Sequence, residues 1–515
     1  MPVFSHGAIN TTALIVPDLY VQIVAPQSLL LNGVPTDILG IVGSASWGPV
    51  NEPVICGSMS DYAAAFGPVM ARKYDMGTQM ATAVQQGAAN FRCVRVTDGT
   101  DTAAALSVLG AVTFTALYTG TLGNQLTVSL SAGSAANSWR VTVVLPGLTP
   151  EVFDNITGTG AAFWTNLVHA VNNGSGALRG PSALVVATSL GTSASPSVGA
   201  FNFSGGTPGS DGASGLDAAM LVGADTVPRS GMYALRGQGC AIALLADADD
   251  ATQWSVQVAF GLSEGVYMIL TGPAGDTISN AVATKATAGV DSYVAKLMFG
   301  DWVYWYDQAN ATTRLVSPQG FVAGRLANLS PEQSSLNKPI YGVTGTQKSG
   351  QPGAGTASTY AAADLSTLIS AGIDVIANPQ PGGAFWGVRA GHNSSSNAAT
   401  NGDNYTRLTN YIAATLSSGM GIYVGQLVNA TLFQNIRSTL LAFLNGLLSQ
   451  GLLGSTDGAL PFAVVCDTSN NPASRTGLGY VQADCQVQYQ AINEKFIVNV
   501  QGGQTVQVTV QSAAA

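Results

Sequence analysis

Three histidines, His6, His169 and His392, are the residues to test first, because imidazole is the side chain most often used for proton transfer near neutral pH. His6 lies close to the start, and His169 lies in "FWTNLVHAVN", where helical spacing sets it beside an apolar face. His392 lies in the polar loop "RAGHNSSSN". None sits in a nucleophile motif: the GxSxG spacing occurs as "GLSEG" at 261–265, but it follows a helix pattern over 250–263 and precedes the strand "GVYMIL", the reverse of the strand-to-helix turn that presents a nucleophilic serine. A Ser-His-Asp triad is therefore not expected. GxxxxGKS/T is also missing, so there is no P-loop, and "GGTPGSDG" lacks both the spacing and the strand-to-helix setting of a dinucleotide cradle. It reads as a linking loop.

The carboxylates and thiols lead no further. "DADD" at 247–250 lacks the glycine and the distal Glu of a calcium loop and reads as a strand end followed by a helix cap. Cys56, Cys93, Cys240, Cys466 and Cys485 show neither CxxC pairs nor zinc spacing, and they read as buried free thiols. Their odd number leaves room for an intersubunit disulfide under oxidising conditions. Catalytic, cofactor-binding and metal-ligating residues are thus all expected to be none.

Charge is scarce everywhere. Only 9% of the 515 residues are charged, against about 25% in an ordinary globular protein, while 46% are hydrophobic. Within residues 38–67 the only charges are Glu52 and Asp61. A formal net charge of -9 disfavours direct nucleic-acid binding, which needs Lys and Arg to displace counterions. A surface so poor in charge implies that other subunits cover much of it. "MPVFSHGAINTTALIVPDLY" lacks a basic n-region, and no apolar run reaches membrane-spanning length, so neither secretion nor membrane insertion is expected.

Periodicity supplies the elements. "LIVPDLYVQIVAP", residues 14–26, alternates between two prolines and reads as an edge strand without a neighbour. "ILGIVG" reads as a buried strand, followed by a helix over "DYAAAFG" capped by Ser60, a second helix near 77–86 and the strand "FRCVRV". Residues 105–212 hold short period-two runs between Gly/Ser/Asn turns, the pattern of an inserted β-sandwich. From 213 to 378 strands and helices alternate, including a helix over 250–263 with Trp254, Val258 and Leu262 on one face. The strand "WVYWYD" continues that theme. After Asn429, the residues Leu432, Phe433, Ile436, Leu440, Phe443, Leu444 and Leu447 recur at helical spacing, and the tail "KFIVNVQGGQTVQVTVQSAAA" holds two alternating β runs. A terminal strand needs an external sheet to become ordered.

Several long stretches occur together in a fixed order: "GVPTDILGIVGSASWGPVNEPVICGSMSDYAAAFG", "QGAANFRCVRVTDG", "DWVYWYDQANATTRLVSPQGFVAGRLA" and "STLISAGIDVIANPQPGGAFWGVRAG". "LFQNIRSTLLAFLNGLLSQGLLG", "FAVVCDTSNN" and "NEKFIVNV" follow. In this order they resemble the contractile tail sheath proteins of myophages and of related tailocins and contractile injection systems. The resemblance implies a multidomain α/β fold: an N-terminal arm (1–28), an α/β core segment (29–104), the β-sandwich facing outward (105–212) and a central subtilisin-like α/β domain (213–378). An α+β C-terminal core domain (379–495) would face a tail tube, followed by a C-terminal strand arm (496–515).

The same resemblance implies a structural role in a virion tail assembled in a bacterial cytoplasm, with no enzymatic activity. Copies would polymerise helically, as stacked hexameric rings, around the tube, with baseplate and tail terminator proteins as further partners. They would be trapped in an extended state and would contract to drive the tube through a target envelope for genome ejection. Neighbours would exchange strands, through Leu19, Tyr20, Val21, Ile23 and Val24 at one end and Phe496, Ile497, Val498, Val500, Val506, Val508 and Val510 at the other. Flexible connections behind Pro26 and before Phe496 would let the bodies rotate. Arg437 is the candidate for tube contact. The alternatives are a secreted subtilisin-like hydrolase and a capsid or surface-layer protein.

Overall fold

The computed structural model describes residues 3–6, 20–23, 31–175, 179–351, 359–500 and 502. Two short strands, β1 (Val3–His6) and β2 (Tyr20–Ile23), pair in parallel. This corrects the reading of residues 14–26 as a strand without a neighbour, since Tyr20, Val21 and Ile23 lie opposite Val3, Phe4 and His6. Alternation in a sequence defines a strand but not its partner.

The chain then enters a sheet through β3 (Leu39–Gly43), which is buried along its whole length. After it come β4 (Pro53–Cys56), α1 (Met59–Phe66), α2 (Met76–Gln85) and β5 (Phe91–Arg95). The cap of α1 is Ser58, not Ser60: its hydroxyl accepts the Asp61 N–H at 3.2 Å, and the helix begins one residue later.

Residues 105–202 form a separate body. Its strands are β6 (Ala105–Val108), β7 (Val112–Ala116), β8 (Thr127–Ala132), β9 (Trp139–Val144) and β10 (Glu151–Ile156), then helix α3 (Ala161–Asn173), β11 (Val185–Ser189) and β12 (Gly199–Asn202). They make two antiparallel sheets, ordered β10-β9-β8-β12 and β11-β7-β6. Phe114, Phe153, Phe163, Trp164 and Phe203 share their core. His169 is exposed on α3 rather than set against that core.

Helix α4 (Ala218–Val222), β13 (Ile242–Leu245), α5 (Trp254–Glu264), β14 (Tyr267–Thr271), α6 (Ile278–Ala288) and β15 (Ala295–Met298) return the chain to the first sheet. Beyond them lie β16 (Val303–Asp307), β17 (Thr312–Val316), α7 (Gln319–Ala327), β18 (Val343–Thr346), α8 (Ala362–Ser370) and β19 (Ile373–Asp374). The main sheet has seven strands in the order β19-β15-β14-β13-β3-β5-β4, all parallel except β4. Stretches 29–104 and 213–378 therefore share one sheet. Helices α1, α2 and α7 cover one face, while α4, α5, α6 and α8 cover the other.

Two expectations need correction here. "WVYWYD" belongs to a separate antiparallel sheet, β17-β16-β18. On α5 the buried residues are Trp254, Gln257, Phe260 and Gly261, and Leu262 is 52% exposed. Gly261 turns the inward face because a Cβ there would sit 2.8 Å from the Val266 carbonyl.

The C-terminal unit consists of the small β20 (Ile376–Ala377) and β21 (Gly387–Val388) pair, α9 (Asp403–Gly419), α10 (Ala430–Ser449), β22 (Phe462–Val465), α11 (Ala473–Thr476) and β23 (Asp484–Val487). No described helix is long and apolar enough to cross a membrane.

Candidate strand-docking site in the C-terminal unit

Open α/β sheets bind ligands outside the carboxyl ends of their strands, where the strand order reverses. Here that point lies between β3 and β13, and side chains fill it. Gln79 Nε2 donates to Asp247 Oδ1 at 2.8 Å and to Ser317 Oγ at 3.0 Å, while Gln79 Oε1 accepts from Gly320 N. Gln319 accepts the Asp247 N–H and donates to the Ile269 carbonyl. Of the neighbouring acids, Asp249 pairs with Lys73 at 2.9 Å and Asp250 caps the turn into α5. The acidic cluster is thus a strand end and a cap. Among the described residues no group of His, Cys, Asp or Glu is arranged to hold a metal ion, and all five cysteines are free.

A second buried polar centre was not found from the sequence. Lys296, fully buried on β15, donates to Asp374 Oδ2 at 2.7 Å, Asp403 Oδ1 at 3.0 Å and the His392 carbonyl at 2.9 Å. Tyr267 and Ser335 also donate to Asp403, and Asp374 accepts the backbone N–H groups of Val375, Ala390, Gly391 and His392. Burial pushes the Asp403 carboxyl up, but Lys296, Ser335 and Tyr267 outweigh it and hold it below the ordinary value. Burial likewise lowers Lys296, yet its two carboxylates keep it above its usual value. Such a network has no vacant lone pair for substrate, and it ties the start of α9 to the main sheet. The available signal was a single Lys inside the apolar run "YVAKLMF", since a buried charge needs a partner.

The C-terminal unit is built differently. Asn429 caps α10 by accepting the Leu432 N–H at 2.9 Å, and Leu432, Phe433, Ile436, Leu440, Phe443, Leu444 and Leu447 are buried, with Thr439 between them and Leu441 half-buried beside them. On β22, Phe462 and Val464 turn inward to this helix, whereas Ala463 and Val465 are exposed. Strand β23 pairs antiparallel with β22, Phe462 opposite Val487 and Val465 opposite Asp484. No further described strand joins them, so one edge of each remains open. A two-stranded sheet is marginal on its own, and open edges are templates for another strand.

Both arms leave from this unit. After β23 the chain is stitched to α9 by Tyr489–Thr409 and Asn404–Gln490 hydrogen bonds, then to the inter-domain loop by His392 Nε2 and Glu494 Oε1 at 2.7 Å. A cavity of about 730 Å³ lies beneath this stretch, lined by Tyr405, Ile412, Leu416, Val487 and Ile492. Past Glu494, residues Phe496, Ile497, Val498 and Val500 are 62–84% exposed and belong to no strand. At the other end Leu31 packs against the same core, and the Val34 N–H donates to Thr415 on α9 at 3.2 Å. The segment just behind the N-terminal arm therefore lies on the C-terminal unit, which its position in the sequence did not reveal.

Of the residues named from the sequence, Tyr20, Val21 and Ile23 lie in β2, away from β22 and β23 in the pairing. Leu19, Val24, Pro26, Val506, Val508 and Val510 lie outside the described residues. Arg437 is exposed on α10 and close enough to Asp467 to help Ser469 hold that carboxyl below its ordinary value.

A seven-stranded α/β sheet interrupted by a β-sandwich body and followed by a helical unit with an open two-stranded sheet is similar in architecture to solved contractile sheath proteins. A sheath tail protein from Desulfitobacterium hafniense matches over 86% of this chain and 93% of its own, with 16% identity and a TM-score of 0.57. One from Listeria innocua matches over 85% and 90%, with 15% identity and a TM-score of 0.59. The sheath of an extracellular contractile injection system, PVC, in its contracted state matches over 96% and 99%, with 12% identity and a TM-score of 0.55. Neither a protein-family model nor a curated protein matches the sequence.

Proposed function

We propose that this chain is the sheath subunit of a contractile tail or injection device, a structural protein that assembles with itself and does no chemistry. The observation that carries this reading is the coexistence, on one unit, of an apolar arm without a sheet and a sheet with two free edges. The arm of one copy adds to the β22–β23 sheet of another, a strand addition in which backbone hydrogen bonds supply affinity and alternate side chains supply register. Phe496, Val498 and Val500 fall on one face of such a strand, so one added arm buries three apolar side chains.

The magnitudes explain why a lattice is required. Burying three such side chains is worth roughly 5 to 9 kcal/mol. Association costs roughly 4 to 15 kcal/mol, so a single exchanged arm is marginal. When each copy both gives and receives arms, later contacts become intramolecular and retention multiplies. Head-to-tail contacts of this kind do not close on themselves and generate helices.

In this reading the N-terminal segment around Tyr20, Val21 and Ile23 supplies the second exchanged strand, and the exposed face of α10 with Arg437 turns to a tail tube. The sandwich body faces outward, and baseplate and terminator proteins close the ends. Assembly in an extended, kinetically trapped form, followed by sliding into a more buried lattice, supplies the work of contraction without ATP. A phage tail that ejects a genome and an injection device share this mechanics.

Negative-stain electron microscopy of the purified full-length chain tests the proposal. Striated hollow tubes are expected from the full chain, and dispersed particles from a version ending before Phe496. Dispersed monomers from both, across salt and protein concentration, would overturn the sheath reading.

A further inference from the structure

Four asparagines of this chain precede a glycine: Asn32, Asn173, Asn401 and Asn445. In such a pair the glycine nitrogen can attack the carbon of the asparagine side-chain amide, because a residue without a Cβ leaves that approach open. The attack needs a glycine N–H not engaged elsewhere and an asparagine free to turn its main chain toward its own side chain. The fold withholds these conditions from three of the four pairs. Gly174 ends α3 in a buried position, and its N–H donates to the Ala170 carbonyl at 3.0 Å. Asn445 lies inside α10, where helical hydrogen bonds fix the backbone, and its Nδ2 donates to the Leu441 carbonyl at 2.9 Å. Asn401 is half-buried, its carbonyl accepts the Asn393 N–H at 2.7 Å, and Gly402 bridges to His392.

The fourth pair is open. Asn32 and Gly33 are both exposed and belong to no helix or strand, and the Gly33 N–H has no backbone partner among the described residues. They link two anchors on the C-terminal unit, Leu31 in its core and the Val34 N–H on Thr415. Glycine is the residue this link requires, since a Cβ at position 33 would overlap the Tyr411 hydroxyl. Packing therefore keeps in place the neighbour that makes Asn32 reactive.

We propose that Asn32 is a site of spontaneous covalent modification, in which its amide becomes a carboxylate, largely as isoaspartate. The Gly33 nitrogen bonds to Cγ of Asn32, the bond from Cγ to the side-chain nitrogen breaks, and ammonia leaves with the proton from Gly33. Water then opens the cyclic imide, and attack at the main-chain carbonyl leaves Gly33 joined through the former side chain. The net change consumes one water, releases one ammonia and needs no cofactor or oxidant. The isoaspartate lengthens the main chain by one carbon, so Gly33 no longer fits against Tyr411 while Val34 stays on Thr415. It also adds a negative charge to a stretch, residues 1–36, whose only Asp, Glu, Lys or Arg is Asp18. The N-terminal segment thus loosens from α9 as the protein ages, a consequence that does not depend on the sheath reading.

The test is peptide mass spectrometry of the full-length chain during storage in mildly alkaline buffer, folded and in urea. In urea all four pairs are expected to gain about 1 Da at similar rates. In the folded chain Asn32 should convert at close to its urea rate, and Asn173, Asn401 and Asn445 on the order of tenfold more slowly or less. Asn32→Gln, at an exposed position, lengthens the side chain and should abolish conversion there. Hydrogen exchange at the Val34 amide should quicken in aged wild type and stay unchanged in aged Asn32→Gln. Asn32 intact in the folded chain while it converts in urea would overturn the proposal, as would equal conversion at any of the other three. An unchanged Val34 amide in fully converted protein would overturn the loosening.

Discussion

The main sheet and the C-terminal unit solve the same problem of strand edges in opposite ways. The main sheet blunts its edges: β19 has two residues, and β4 is a four-residue antiparallel strand that begins with Pro53. Its buried Lys296 is paired with Asp374 on β19 and with Asp403 at the start of α9. The C-terminal unit leaves both edges of β22–β23 open and holds Phe496, Ile497, Val498 and Val500 out in solvent. One region is finished within a single chain. The other keeps two strand edges and an apolar segment unpaired among the described residues, and in the proposed function a second copy completes them.

Substitutions should separate the two regions. The largest effect is expected from the double variant Val498→Asp and Val500→Asp, which should abolish tube formation in electron microscopy. Because both positions are exposed, it should change the unfolding free energy of the unassembled chain by less than about 0.5 kcal/mol. Lys296→Met should do the reverse, leaving two buried carboxylates without a cation at a cost of about 3 to 5 kcal/mol in urea unfolding.

A pH effect comes next. Burial raises Asp75, the cap of α2, to about 7 against the opposing pull of Thr78 and Arg72. Between pH ~4 and 7 the folded chain thus holds a proton that the unfolded chain has lost, and stability falls as pH rises through that window. Asp75→Asn keeps an acceptor for the Thr78 N–H and should flatten that slope in unfolding curves measured from pH 4 to 8. Asn429→Ala, which removes the cap of α10, should cost about 1 kcal/mol, read as a lowered melting temperature. Arg437→Ala is the smallest, within about 0.5 kcal/mol in the free chain because the residue is exposed, and any loss should appear only as weaker binding to a tail tube.

What could be read from the sequence follows the range of the interactions. Helix α10 was legible down to its cap, because periodicity and capping are local, and the seven apolar residues read at helical spacing are all buried. The strand character of "WVYWYD" was legible but its sheet was not, since period two identifies a strand and says nothing of its neighbours. Lys296 meets Asp374 and Asp403 across 78 and 107 residues, a separation at which no pattern in one sequence pairs charges. The anchoring of Leu31 and Val34 on the C-terminal unit was hidden in the same way, since Val34 and Thr415 are 381 residues apart. Of the arm residues, Phe496, Ile497, Val498 and Val500 are exposed in the single chain, which is consistent with the proposed strand exchange.

Hydrogen exchange on the full-length chain, before and after assembly, tests strand exchange most directly. Backbone amides of residues 462–465, 484–487 and 496–500 should exchange quickly in dispersed protein and become strongly protected in tubes, while the amides of β3, β13 and β14 are protected in both. Tubes that form while residues 496–500 still exchange freely would contradict the claim that these arms join the lattice.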